Sequence, residues 1–327
     1  MHLKSVVVVH FLSLWYSSTW ASLVQDNSTF AGPIPSIHNP TSASIGSIEP
    51  VMSVLPHGTI STIRTPGSNI TRAIFSNGPI NIMNWPMIQD LQTFTVSLYN
   101  QSHTKVVILQ SANPSFFIAQ LSLLEHDGWP TPTEQTKTFI DAAYDISTLP
   151  VIFIASIAGR ARGAGNELVL QCDLRYAARG RTFLGNFETA IGLIPGAGGI
   201  AYLASLIGRA KAFEYVLSGR DIDADTAERI GWVNHAVDSY DLDGVVGAFA
   251  ERLALFPVQA LAAAKKRINE VSLVPPEQVW ADYNAWVPLV GKPFSAPLAS
   301  KEMKLSMNES FGEYQLYEGD EVLRVYE

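Results

Sequence analysis

The run with the clearest chemical potential is the glycine-bearing stretch 158–168, AGRARGAGNEL. It follows an apolar run at 151–157 and leads into a predicted helix that starts at Gly163. Small residues let a ligand approach the backbone, and the first N–H groups of a helix are free to bind an anionic group. The stretch therefore indicates either a ligand site or a simple tight turn between strand and helix. It lacks the third glycine of GxGxxG, which argues against a dinucleotide fold.

Two further stretches carry glycine beside polar or acidic residues, FLGNFE at 183–188 and GLIPGAGG at 192–199. The glycines of the second would suit a phosphate loop, but no Lys-Ser/Thr pair follows them, so a P-loop is excluded. The seven histidines lack metal-ligand spacing, and no metal site is predicted. Cys172 is predicted to be a small buried hydrophobe rather than a nucleophile.

The elements that must position these stretches alternate between strand and helix, which predicts an α/β fold with parallel strands. Two short β-type runs around Pro66-Gly67 predict a hairpin, and the pattern after Asp241 is almost wholly helical. The predicted strands are 59–64, 70–75, 106–109, 151–157 and 173–177, and the predicted helices are 84–100, 133–148, 163–170, 209–217 and 223–229.

The composition indicates a chain with a sizeable core. Of its 327 residues, 47% are apolar and only 16% are charged, which excludes disordered and coiled-coil proteins. The formal net charge of −8 argues against a nucleic-acid partner, because phosphate neutralisation needs clustered Lys and Arg. A single cysteine excludes an intramolecular disulfide framework.

The N-terminal residues predict a targeting segment. Residues 1–21 combine Lys4, a mostly apolar stretch and a small-x-small pattern at 19–21, which is typical of a signal peptide; a start codon placed too early is the alternative. Residues 22–56 are rich in Ser and Pro and predict a linker, with the folded part starting near His57. Four Asn-x-Ser/Thr triplets would be glycosylation sites in a secreted glycoprotein, at Asn27, Asn69, Asn100 and Asn308.

The order of the motifs resembles the enoyl-CoA hydratase/isomerase (crotonase) superfamily. The resemblance runs from about residue 57 to 270 and is specific between 158 and 234. The matching segments are Gly159–Leu168, Cys172–Ala177, Gly185–Glu188, Gly192–Gly199, Gly208–Ala210, Ser218–Ala224 and Ala227–Asn234.

This resemblance implies a fold and a substrate class. The fold would be a spiral of ββα repeats over 57–240, followed by a C-terminal helical region, 241–327, that mediates oligomer contacts. A homotrimer or a dimer of trimers is expected. The substrate would be an acyl-CoA thioester, with coenzyme A entering as part of the substrate and no separate cofactor.

The resemblance also implies an oxyanion hole of two backbone N–H groups. One matches Ala164, at the start of the helix, and the other is placed at Ala119, in the stretch that aligns with Phe-x-Ala-Gly-Ala-Asp. Gly163, Gly165, Gln120 and Leu121 are the substrate-binding residues on this reading. A thioester enolate gathers negative charge on one oxygen, and removal of one donor typically costs about 2.7–4 kcal/mol.

The catalytic residues implied by the resemblance are Glu167 and Glu188, 21 positions apart. In a hydratase of this family two glutamates hold and activate one water, and one or both move protons between the water and the α-carbon. A double-bond isomerase needs one base, so the presence of both glutamates favours the hydratase. Burial and mutual repulsion are expected to perturb their pKa values.

The chain departs from the family pattern in two places. Gln120, Leu121 and Ser122 replace the usual Gly-Ala-Asp, and Phe187 stands where proline is common. Leu121 is expected to narrow the acyl pocket. These departures predict either an unusual substrate or a loss of activity.

Three interpretations of function stay open at this point: a hydratase or dehydratase, a Δ3-Δ2 isomerase that uses one glutamate, and a non-catalytic secreted protein that retains the scaffold. The third follows from a conflict of compartment, because residues 1–21 predict the secretory pathway whereas coenzyme A thioesters belong inside cells.

Two clusters near the C-terminus have structural interpretations. The basic run 265–267 is predicted to be a solvated helix face, or a contact for coenzyme A phosphates. Trp280, Tyr283 and Trp286 are predicted to pack a subunit interface.

Overall fold

A computed structural model of the chain describes residues 49–99, 103–124, 126–307, 314–315 and 317–327. These described residues belong to one compact unit. The predicted signal peptide, most of the predicted linker and the triplets at Asn27, Asn100 and Asn308 lie outside the described residues.

The described part alternates between strands and helices, as the sequence predicts. The strands are β1 (Val51–Val54), β2 (Ile60–Arg64), β3 (Ile70–Phe75), β4 (Val106–Ser111), β5 (Phe116–Ile118), β6 (Ile152–Ile157), β7 (Arg160–Arg162), β8 (Leu174–Arg179), β9 (Phe183–Gly185), β10 (Ile222–Asp223) and β11 (His235–Asp238). The helices are α1 (Trp85–Tyr99), α2 (Pro132–Thr148), α3 (Ala164–Leu170), α4 (Gly199–Ser218), α5 (Ala224–Ile230), α6 (Leu242–Ala254), α7 (Val258–Ser272), α8 (Pro276–Trp286) and α9 (Ala296–Met307), with a short C-terminal helix at Glu318–Glu321.

The strands form two sheets. The larger has the order β1-β2-β3-β4-β6-β8-β11, antiparallel at β1–β2–β3 and parallel from β3 to β11. The smaller has the order β10-β9-β7-β5, in which β5, β7 and β9 are parallel. The chain therefore visits the large sheet and then the small sheet in each turn before it enters a helix: β4–β5–α2, then β6–β7–α3, then β8–β9–α4. This winding confirms the predicted spiral of ββα repeats.

The central strands β4 and β6 of the large sheet are buried on both faces, which explains why their sequences are nearly continuous apolar runs. Along β4, Val107 and Leu109 face the main core, whereas Val106 and Ile108 pack with α6 on the opposite face. The two faces follow from the alternation of side chains along a strand. The main core fills the space between the large sheet, the small sheet and the helices that surround the site.

The described fold begins before the predicted boundary. Strand β1 pairs with β2 through Val51 and Arg64, within the end of the range 22–56 that composition marks as linker. The four side chains of β1 are exposed, so β1 carries no apolar periodicity and its pairing is with backbone groups. Within the described residues, regular structure is therefore present from Val51, ahead of the predicted boundary near His57.

Among the described residues, no single helix combines the length and apolar composition needed to cross a membrane. The pair α6 and α7 passes on length and composition together, but the two helices are bent by 109° from each other.

Candidate active site

Helix α3 begins at a sharp corner that only glycine can form. Gly163 is the N-cap residue, with φ 48° and ψ −125°. Residues that carry a Cβ rarely adopt this backbone conformation. Its N–H donates to the carbonyl of Gly185 at 3.0 Å, which ties the helix start to the end of β9. The corner brings Gly163 beside Glu188, because a Cβ on Gly163 would lie 3.3 Å from Oε1 of Glu188.

The helix start opens onto a cavity of about 50 Å³, which is room for a few water molecules. Six of the residues predicted for the site line this cavity: Gln120, Leu121, Gly163, Ala164, Glu167 and Glu188. Its apolar wall includes Phe139, Phe187, Leu193, Ile194 and Trp286. The structure thus brings together the side chains of both predicted glutamates, although they are carried on different turns of the spiral.

The N–H of Ala119, predicted as one oxyanion donor, is already used. It donates to the carbonyl of Ile80 at 3.2 Å, and Ala119 does not line the cavity among the described residues. The next candidate along the chain is Leu121. Leu121 forms an isolated β-bridge with Met83, but the two hydrogen bonds of the bridge are made by the neighbours of Leu121. The N–H of Met83 donates to the carbonyl of Gln120, and the N–H of Ser122 donates to the carbonyl of Met83, each at 2.8 Å. The N–H of Leu121 therefore points away from Met83, and within the described part of the chain it meets no acceptor.

Ala164 is the first residue of α3, where an N–H has no partner within the helix. In the described residues its N–H meets no acceptor elsewhere, and Ala164 lines the cavity. Among the described residues, the non-glycine residues with positive φ are all asparagines, so φ of Ala164 is negative. Alanine at position 164 therefore carries no backbone strain. Two unpaired N–H groups, of Leu121 and Ala164, thus lie on residues that share one cavity.

Gly165 has a different role from the one predicted, because it does not line the cavity. A Cβ at this position would lie 2.1 Å from the carbonyl oxygen of Ile118. The glycine therefore allows α3 to pack directly on the backbone of β5. Gly159 does the same one corner earlier, where a Cβ would lie 2.3 Å from the carbonyl carbon of Ser115. These glycines admit neighbouring backbone rather than a ligand.

Glu167 lies on the first turn of α3 and is buried. Its Oε1 accepts the N–H groups of Ala197 and Gly199, at 2.7 and 3.0 Å. Those N–H groups come from the loop 192–199, so the third glycine-bearing stretch binds a carboxylate of the protein itself. Gly199 is required for the approach, since a Cβ there would lie 3.0 Å from Oε1 of Glu167.

Glu188 begins a 3₁₀ turn after β9, and only one of its carboxylate oxygens is held. Oε1 accepts the side-chain amide of Asn186 at 3.1 Å. Oε2 is buried and has no hydrogen-bond partner among the described residues. A buried carboxylate oxygen without a donor is costly and needs an explanation, such as a water or a substrate atom that binds it.

Burial raises the pKa values of both glutamates above the usual range for a carboxyl group. For Glu167, desolvation is the largest cause and the charge of Glu188 adds to it, while the two N–H donors oppose it. For Glu188, desolvation again dominates, while a contact with its own backbone and then the amide of Asn186 oppose it. Two such carboxyls titrate as a pair. The pair can therefore hold a proton at neutral pH and exchange it with a bound molecule.

The unusual Gln120 has a partner that sequence patterns could not indicate. Its Nε2 donates to Oε1 of Glu302, on α9, at 3.0 Å, and Ser306 also donates to that carboxylate. Glu302 is buried and lines the cavity. Where the family usually has glycine, this chain has Gln120, whose side chain connects the segment before Leu121 to Glu302 in the C-terminal region, 182 positions away.

Cys172 and the charged residues near it have structural roles. Burial raises the pKa of the Cys172 thiol to about 12, which fits a buried hydrophobe. Asp173 pairs with Lys265 at 2.8 Å. Arg175 instead donates to the carbonyls of Trp232 and Cys172.

The C-terminal clusters match their predictions only in part. Lys266 and Arg267 are exposed, as predicted. Lys265 is buried, not solvated, and its Nζ donates to the carbonyls of Ile146 and Val151 as well as to Asp173. It is therefore unavailable to coenzyme A. Tyr283 and Trp286 are buried in the core of the same chain, and Trp286 walls the cavity rather than facing a partner.

The comparisons with known proteins agree with this architecture. A family model described as enoyl-CoA hydratase/isomerase matches residues 68–286, and the chain belongs to this family. A crystal structure from Streptomyces avermitilis is 34% identical in sequence and superposes with a TM-score of 0.75, covering 83% of this chain and 97% of that one.

Named enoyl-CoA hydratases are among the similar proteins. The enoyl-CoA hydratase of Bacillus anthracis is 29% identical with a TM-score of 0.61, covering 75% of this chain and 96% of that one. The Arabidopsis thaliana protein named "Probable enoyl-CoA hydratase 2, mitochondrial" is 33% identical over 194 residues, which are 58% of this chain and 64% of the plant protein. The chain thus spans somewhat less than two thirds of that relative.

Proposed function

We propose that this protein is an enoyl-CoA hydratase, or a dehydratase in the reverse direction, that adds water across the double bond of an acyl-CoA thioester. The observation that carries the proposal is the buried Oε2 of Glu188, which has no hydrogen-bond partner in the described part of the chain and lies in a cavity that Glu167 also lines. Two carboxylates around a space for water suit hydration, whereas a double-bond isomerase needs a single base.

The thioester would be bound by its carbonyl oxygen. Leu121 and Ala164, whose N–H groups have no partner in the described residues, line the same cavity, and we assign the oxyanion hole to these two N–H groups in place of the pair Ala119 and Ala164. As water attacks the β-carbon, electrons of the C=C bond move onto the carbonyl oxygen and form an enolate. Fixed N–H groups at the start of a helix stabilise that charge in the transition state.

The two glutamates would move the protons. An ionised carboxylate takes a proton from the water as its oxygen bonds to the β-carbon, and a protonated carboxyl gives a proton to the α-carbon as the enolate collapses. The water supplies both the hydroxyl and one proton, so the balance closes with the carboxyl pair returned to its starting charge. The raised pKa values support this assignment, because a carboxyl that holds a proton near neutral pH can donate it.

We expect acyl-CoA to raise the melting temperature of the protein. A ligand that binds only the folded chain stabilises it by about 2.7 kcal/mol at a hundred times its Kd, and each kcal/mol is worth roughly 2–4 °C in a domain of this size. Thermal scans with millimolar crotonyl-CoA and a longer acyl-CoA measure the shift, with free coenzyme A as control. If several acyl-CoAs leave the transition unmoved, the protein is a scaffold without this activity.

A homotrimer or dimer of trimers is the assembly we expect. Large apolar side chains are left exposed on or directly after the helices of this single chain, among them Leu217, Leu255 and Val271, which are 60%, 83% and 70% exposed. Apolar surface of this kind is commonly covered by another subunit. Light scattering of the purified protein should give the mass of three or six chains, and a monodisperse monomer would contradict the prediction.

A further inference from the structure

A chain of three side-chain hydrogen bonds ends on Glu188. The indole Nε1 of Trp232 donates to Oδ1 of Asn166 at 3.0 Å. Nδ2 of Asn166 donates to Oδ1 of Asn186 at 2.6 Å, and Nδ2 of Asn186 donates to Oε1 of Glu188 at 3.1 Å. Below, this series of contacts is called the donor chain. Trp232, Asn166 and Asn186 are each at most 1% exposed, so water does not compete for these bonds.

The direction of the donor chain is set at its Trp232 end. An indole N–H can only donate, whereas a carboxamide has one accepting end and one donating end. Asn166 must therefore turn its oxygen toward Trp232 and its NH₂ toward Asn186. Asn186 must in turn accept with its oxygen and present its NH₂ to Glu188. Each amide orientation follows from the one before it, starting from the indole N–H.

We propose that Trp232 is a positioning residue for the reaction: through Asn166 and Asn186 its indole N–H fixes a donor on Oε1 of Glu188, holds that carboxylate in place and leaves Oε2 as the oxygen that exchanges protons. The inference rests on the proposed role of Glu188. Trp232 is not among the residues that line the cavity, and its indole N–H bonds to Asn166, so its proposed effect on the reaction passes through the two amides.

The donor chain has an electrostatic consequence for Glu188. A donor at Oε1 favours the ionised carboxylate and opposes the desolvation that raises its pKa. Without the Trp232 N–H, nothing would fix the orientation of the two amides, and Asn186 could turn its oxygen toward Oε1 of Glu188. Two oxygens can share a hydrogen bond only if the carboxyl is protonated. The other titratable side chains that line this cavity in the described part of the chain are Glu167 and Glu302.

Trp232→Phe tests the proposal because it removes the N–H and keeps a buried ring. We expect kcat for enoyl-CoA hydration to fall about tenfold with KM within twofold, and the acidic limb of the pH profile to move to higher pH. Asn166→Asp is the stronger variant. An aspartate has no donor for Asn186, so the direction inverts, and we expect a loss of about 100-fold or more. Trp280→Phe is the matched control, since no hydrogen bond of the Trp280 indole is found in the described structure, and its kinetics should be unchanged.

A titration of Glu188 by ¹³C NMR, assigned by difference with Glu188→Gln, gives a readout that does not require activity. We expect the Glu188 carboxyl to titrate at higher pH in Trp232→Phe than in the wild type. If the wild type hydrates no enoyl-CoA, the proposed function fails, and the titration still decides the donor chain. A Trp232→Phe protein that melts lower but keeps the wild-type pH profile and Glu188 titration would overturn the proposal, because Trp232 would then only fill space.

Discussion

Glu188→Gln and Glu167→Gln should each lower kcat for hydration of an enoyl-CoA by about 10² to 10⁴ while KM changes little. Glutamine keeps the shape of the side chain and can still hydrogen-bond a water, but it neither takes nor gives a proton at neutral pH. For Glu167, a glutamine oxygen can continue to accept the N–H groups of Ala197 and Gly199, so the loop 192–199 should stay in place. Steady-state kinetics with a confirmed substrate measure the effect.

The same variants should be at least as stable as the wild type above neutral pH, which separates a catalytic role from a structural one. Because burial raises both pKa values above the ordinary 4.5, the folded chain binds more protons than the unfolded one once pH exceeds that value. Stability from these groups is therefore present at low pH and is lost as pH rises through the folded pKa values. Glutamine removes this penalty, so the variants should melt no lower than the wild type at about pH 8.

Glu251→Gln is the matched control for these measurements, since Glu251 is exposed on α6 and far along the chain from the site. Its kinetics and melting should match those of the wild type. If both active-site variants melt lower and lose activity only with the folded fraction, the glutamates are structural. If Glu188→Gln alone abolishes double-bond migration while Glu167→Gln stays active, the protein is an isomerase that uses one base.

Gly165→Ala should disrupt both the fold around the site and the activity, although it adds one methyl group. The Cβ would lie 2.1 Å from the carbonyl oxygen of Ile118, which is backbone and cannot move aside cheaply. Helix α3 must then separate from β5. That helix carries the N–H of Ala164 and the carboxylate of Glu167, and a displacement of 1 Å at a reacting group costs about 10²-fold in rate. We also expect a loss of stability of about 1–3 kcal/mol or more.

Gly244→Ala is the control for this substitution. Gly244 lies exposed in α6, and a Cβ there meets nothing within 4 Å. Alanine in a helix is more favourable than glycine by about 0.5–1 kcal/mol, so this variant should melt slightly higher and keep full activity. Denaturant unfolding and kinetics compare the two. A Gly165→Ala protein with wild-type stability and turnover would show that α3 and β5 are not in direct backbone contact.

Local patterns in the sequence determined the elements and the motif positions. Apolar runs mark the buried strands β4 and β6, and the glycine at 163 marks the start of α3, because periodicity and turn chemistry are properties of neighbouring residues. The family resemblance carried by the order of the glycine-bearing stretches also implied that Glu167 and Glu188 belong to one site, and both line one cavity. The positions of the elements themselves required no knowledge of which distant residues meet.

Tertiary structure alone decided which polar groups are free to act. The N–H of Ala119 is used by Ile80 and that of Leu121 is not, a distinction set by pairing with a segment some 40 positions earlier. Lys265 reads as a solvated charge, yet three oxygen acceptors surround it in the core.

The same reason explains Gln120 and Trp232. Gln120 departs from the family pattern because Glu302 meets it from α9, and Trp232 reaches Asn166 across 66 positions. Whether a donor or acceptor is available depends on its partners in space, and those partners lie too far apart in the chain for any local pattern to specify.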